Sequence, residues 1–167
     1  MLLIVALAIG IVAPSLRGFA RQQQTVRGAA RIAALMAHGR NRAINEATVY
    51  RFRLDVQGRS YWLMRHGGSG QPIRAKGRFG QTFALPRDVT ARWVDASGNP
   101  VGRDDVAFYP TGRIDPGILE LTGPGGKQVQ VRSDGPTELY RVQQVPEHGR
   151  TAAARGWAAA ASGRTAV

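Results

Sequence analysis

The sequence contains no cysteine in its 167 residues. Disulfide staples, thiolate nucleophiles and zinc–thiolate centres are excluded with it. Acid is scarce: 11 Asp and Glu stand against 23 Lys and Arg, a formal charge of +12. A surplus of that size raises the question of an anionic partner. It is spread out, however: +5 over residues 1–46, +5 over 47–145 and +2 over 146–167. No run of five like charges occurs, so the blocky signature of a nucleic-acid tail is missing. Also missing is an apolar run of the ~20 residues that a bilayer-spanning helix needs.

Catalytic constellations are absent from the pattern too. His38, His66 and His148 have no metal-ligand spacing. Asp104 and Asp105 are adjacent acids on a strand entry, where their carboxylates diverge. Gly123–Gln128 (GPGGKQ) lacks the first glycine and the Ser/Thr of a phosphate loop and reads as a hairpin turn. No catalytic residue, metal ligand or cofactor is assigned, and the expectation is a non-enzymatic protein.

What is present begins at once. Met1–Ala13 (MLLIVALAIGIVA) is unbroken apolar sequence, with Leu2, Leu3, Ile4, Val5, Leu7, Ile9, Ile11 and Val12 as its large side chains. As a helix it reaches ~20 Å, about a third short of a ~30 Å bilayer core. A cleaved secretory signal, a buried core helix and a membrane anchor that starts before Met1 are the competing readings. The continuation favours the anchor. From Ser15 to Glu46 no further proline occurs, and Val26, Ala29, Ala30 and Ala33 fall on one helical face. Ile32, Leu35, Met36, Gly39 and Ala43 continue the stripe, leaving Arg17, Arg21, Arg31, Arg40 and Arg42 for the other surface. Residues 1–46 are therefore expected to form one rod of about 69 Å, kinked at Pro14, where a backbone donor is lost. Arg17 and Arg21 follow the apolar run and hold that side in the cytoplasm unless a basic leader precedes Met1.

Residues 47–145 switch to period two. Tyr50, Phe52, Leu54 and Val56 point one way; Arg51, Arg53, Asp55 and Gln57 point the other. Gln57-Gly58 is a two-residue turn into Arg59–Arg65, where Tyr61 and Leu63 join the apolar face while Trp62 and Met64 need cover from the helix or a second sheet. Gly67–Gly80 reads as a loop-rich connector. Val89–Val94, Val106 with Phe108, Leu119 with Leu121, Val129 with Val131, and Tyr140 with Val142 complete seven strands. The fold class is α+β: a long N-terminal helix packed on a small antiparallel head of two sheets. Residues 146–167 form an Ala/Gly/Arg-rich tail expected to be flexible, with Trp157 its one large apolar residue.

Three segments resemble a known family. Leu2–Leu16 (LLIVALAIGIVAPSL) is similar to the N-terminal helix of type IV pilins and type II secretion pseudopilins, with Pro14 matching the proline near the end of their membrane span. His38–Asp55 resembles the helix-to-strand junction of the GspH/FimT branch: Arg40, Ala43 and Ile44 fit, and Gly39 stands where alanine is usual. Val106–Leu121 resembles that branch's Phe-x-Pro-x-Gly segment through Phe108, Pro110, Gly112 and Gly117. The likeness covers about residues 1–143. It implies a leader and processing site upstream of Met1, and methylation of the mature N-terminus. It also implies a single-pass inner-membrane anchor with the head in the periplasm of a Gram-negative bacterium. The implied partners are other pseudopilins, major and minor, the secretion machinery, and the lipid bilayer before assembly. The implied function is that of a minor pseudopilin of type II secretion, a subunit of a periplasmic fibre that helps move folded proteins across the outer membrane. The alternative is a FimT-like minor pilin that binds DNA. For that reading the candidate contacts are Arg51 and Arg53, with Tyr61 and Trp62 beside them, and Arg150, Arg155 and Trp157 in the tail.

Overall fold

A computed structural model of the protein describes residues 2–57, 59–68, 70–75, 77 and 79–145, with side chains from Gln23 onward. Helix α1 runs Leu2–Asn45, unbroken through Pro14, a length of about 66 Å. Ala47 ends it with φ 48°, a left-handed position. There the Thr48 amide donates to Ala43 O at 3.2 Å and the Ala47 amide to Ile44 O at 3.4 Å. That pair of bonds is the Schellman closure, here with alanine where glycine is usual. No helix among the described residues is long and apolar enough to cross a membrane.

Among the described residues nine strands follow: β1 Tyr50–Asp55, β2 Ser60–His66, β3 Pro72–Arg74, β4 Phe83–Ala84, β5 Thr90–Val94, β6 Asp105–Phe108, β7 Gly117–Thr122, β8 Gln128–Ser133 and β9 Arg141–Gln144. They form two antiparallel sheets. One has the order β3-β2-β1-β6 with β4 also on β2; the other has the order β5-β7-β8-β9. Alternation sets the register. Phe52 faces Leu63 on one side and Val106 on the other, and Leu119 faces Val131. The inward sets meet in one core, which α1 closes with Ala29, Ile32, Leu35, Met36 and Ala43. Phe52 touches Trp93 edge-on at 6.4 Å, joining the sheets. Each of these large side chains contributes ~1.5–3 kcal/mol through burial.

Several sequence expectations change. The connector at residues 67–80 contains β3, and β4 follows it, so the described residues hold nine strands rather than seven. Short strands held by a neighbour's ladder need no apolar period of their own. Val56 is 48% exposed, because β1 ends at Asp55. The β1–β2 connection has four residues rather than two, since Asp55 pairs with Ser60. Trp62 and Met64 are half-buried on the outward face, away from α1 and the second sheet. Instead the Arg74 guanidinium lies over the Trp62 ring, 5.1 Å from its centroid. On the helix, Ala30 is exposed while Gly28 and Ala29 are buried. Tyr140 is buried just before β9, but Val142 is exposed, because β9 is an edge strand exposed at all four positions.

Candidate functional site

The helix does two jobs along its length. The large apolar side chains Leu2 to Val12, and Pro14, precede the residues whose side chains are described; the backbone there is helical. Beyond Gln23 one face of the helix is a seam with the head. Ile32, Met36 and Ala43 are at most 1% exposed, and Leu35 is buried beside them. Gly39 is where the seam is tightest. A Cβ there would meet Leu63 Cδ2 at 3.0 Å and the Phe108 ring at 3.1 Å. The unusual glycine of the junction motif is thus what lets β2 and β6 approach the helix.

The next residue, Arg40, donates from Nε to Gly112 O at 2.8 Å. Gly112 has φ 81° and lies against Arg40 and Ile44, so a side chain there would be strained and crowded. The Phe108, Pro110 and Gly112 segment is therefore a turn that the end of α1 grips. Glu46, just past the helix, accepts from the Tyr50 hydroxyl at 2.6 Å and pairs with Arg42 at 2.6 Å. Burial, then the bond to Glu46, raises the Tyr50 pKa above the usual phenol value.

The flank of the helix beside this seam is open. Two adjoining hollows of about 600 and 530 Å³ lie between α1 and the segment 79–88, sharing Arg31 and Ala84 in their walls. Arg59 builds the far lip. Its guanidinium donates to the carbonyls of Pro86 at 2.7 Å, Val89 at 3.0 Å, and Arg87.

Two sheets, a long N-terminal helix whose second half packs on them, and the gripped turn together define a shape shared with solved structures. A minor pseudopilin of the type 2 secretion system of Vibrio cholerae, EpsH, matches 72% of this chain and 97% of its own, with a TM-score of 0.57 and 13% identity. This chain has the pseudopilin fold. The solution structure of Escherichia coli GspH matches 75% of this chain and 91% of its own, with a TM-score of 0.55 and 15% identity. The type IV minor pilin FimU of Pseudomonas aeruginosa matches 77% and 92%, with a TM-score of 0.50 and 16% identity. No protein-family model and no curated protein sequence matches the chain. At these identities the likeness is one of fold, and it includes subunits of both kinds of machine.

On the pseudopilin head the DNA-contact candidates separate. Tyr61 is buried, on the face of β2 opposite Trp62, so the two cannot share a stacking surface with Arg51 and Arg53. Arg51 bonds Asp105 at 2.9 Å and His66 Nε2 at 3.3 Å. Arg53 is exposed, opposite Trp62. Arg150, Arg155 and Trp157 lie outside the described residues. Among the described residues no group of three His, Cys, Asp or Glu side chains could hold a metal. The groove beside α1 gave no sequence signal, since residues 27–31 and 79–88 are far apart in the chain.

Proposed function

We propose that this chain is a structural, non-enzymatic subunit: a minor pseudopilin whose helix joins the core of a short periplasmic fibre of type II secretion. The observation that carries the reading is the division of α1. Its first part is unbroken apolar sequence to Ala13, and its second part is locked to the head by Gly39, Phe108 and the Arg40–Gly112 bond. An apolar helix is stable in lipid or among the like helices of a fibre, and transfer between the two is the assembly step. Before assembly the chain sits in the inner membrane with its head in the periplasm.

The test is incorporation. The full chain, expressed together with a set of pseudopilins, is traced by immunogold on isolated fibres and by membrane fractionation. Label on fibre ends, lost when Leu7 and Ile11 are replaced by Asp, is the expected result. A protein that stays soluble and monomeric without detergent would end the reading. A second reading, a DNA-binding minor pilin, is favoured by Arg53, Trp62 and Arg74 together on the outer sheet face. DNA affinity falling steeply with salt in a filter-binding titration would support it; no binding at low salt would remove it.

A further inference from the structure

We propose that the groove between α1 and the segment 79–88 docks an acidic, apolar-containing segment of a different protein, and that this holds in either machine. Its floor is apolar: Leu35 and Tyr61 are buried, and Phe83 is partly buried against the same core. Its rim is cationic. Arg27, Arg31 and Arg87 are all exposed and line the two hollows. Arg31 and Arg87 have no ion pair among the described residues, and Arg27 bonds only the neutral Gln23, at 3.1 Å. Three guanidiniums against the single carboxylate of Asp88, beside an apolar floor, suit a chain that brings both carboxylates and an apolar anchor.

The remaining chemistry narrows the occupant. A second copy is short of acid. Glu46, Asp105, Glu120, Asp115, Asp134 and Glu138 are each held by an arginine of their own chain. Asp95 accepts from the Ser97 and Asn99 amides, Asp55 also has a partner, and Asp88 stands in the groove itself. Among the described residues that leaves Asp104. Nucleic acid is poorly served as well, because the ring faces it would stack on are taken. Tyr61 and Phe83 stack on each other at 5.6 Å, and Phe79 stacks on His38 at 3.7 Å. An acidic protein segment needs neither free ring faces nor a long phosphate track.

The experiment uses the full chain in detergent micelles at low salt. It is titrated with a short labelled peptide alternating glutamate and leucine around one phenylalanine, and with the glutamine version of that peptide. The glutamate peptide should bind at least about tenfold tighter. The double variant Arg31→Gln, Arg87→Gln should lose that preference while keeping its melting curve, and Arg113→Gln, on an exposed turn elsewhere, should keep it. Equal binding of the two peptides, no saturable binding, or an unchanged preference in the double variant would overturn the proposal. An oligonucleotide that displaces the peptide from the wild type but not from the double variant would overturn it in favour of nucleic acid. Self-association of the chain alone, lost in that variant, would overturn it in favour of a second copy. Fibre incorporation is read separately, so failure of one result leaves the other standing.

Discussion

Two faces of α1 between residues 25 and 43 end in different states: Ile32, Met36, Gly39 and Ala43 make the seam, while Arg27, Arg31 and Ala34 border the groove. On the seam side, contact is so close that Gly39 leaves no room for a methyl group without a shift of Leu63 or Phe108. On the groove side, Ala34 and Arg31 are exposed and face open space. The difference lies both in the helix and in what the head presents to it. Sheet residues at period two fill the seam, while the segment 79–88 meets the helix at the Phe79–His38 stack and, propped by Arg59, leaves two hollows against it. Close packing fixes where the head sits; the open side is left for other molecules.

The largest break in that comparison is expected in the core the seam closes. Phe52→Asp places a charge at 0% exposure and should unfold the head, a loss of more than about 4 kcal/mol, whereas Arg53→Asp should stay within about 0.5 kcal/mol. Limited proteolysis that finds both intact would contradict the register. Next, Gly39→Val should cost roughly 1–3 kcal/mol by overpacking, seen as a lower midpoint in urea, while Ala34→Val on the open side should cost little. Arg40→Ala removes the bond to Gly112 and should lower stability by about 1 kcal/mol, while Arg31→Ala should leave the melting curve in place. At the smallest end, Ala47→Gly relieves the left-handed position and should raise stability by up to about 1 kcal/mol in the same denaturation assay.

Alkaline pH acts through the buried phenols. Burial, the leading cause, raises the phenol pKa of Tyr140, Tyr61 and Tyr50 above the ordinary value near 10. Below that value both folded and unfolded chains keep these protons, and the contribution to stability is complete. As pH rises past about 10 the unfolded chain ionises first, so stability should fall progressively toward the folded-state values. Melting temperature followed from pH 8 upward tests this, and Tyr140→Phe should shallow the slope.

Much of the architecture was legible because it rests on period. The helical stripe reaches Ile32, Leu35, Met36 and Ala43, and alternation gives Phe52, Leu63, Leu119 and Val131. Other features were not legible, for three physical reasons. Strands β3 and β4 borrow their geometry from β2's ladder and carry no pattern. Val56 and Val142 are apolar residues at positions where a strand ends or lies at a sheet edge, so period misplaces them. Arg59 was indistinguishable from any surface arginine, because its partners are backbone carbonyls some thirty positions away. The groove exists only once those distant pieces meet.

The Arg40–Gly112 grip and the Gly39 notch give the helix one rotational setting and one height on the head. A pull along the rod therefore loads the whole seam at once in shear, instead of peeling contacts one by one. The helix is a rigid handle: thrust or tension applied at its far end moves the head as a unit, without first unwinding the junction.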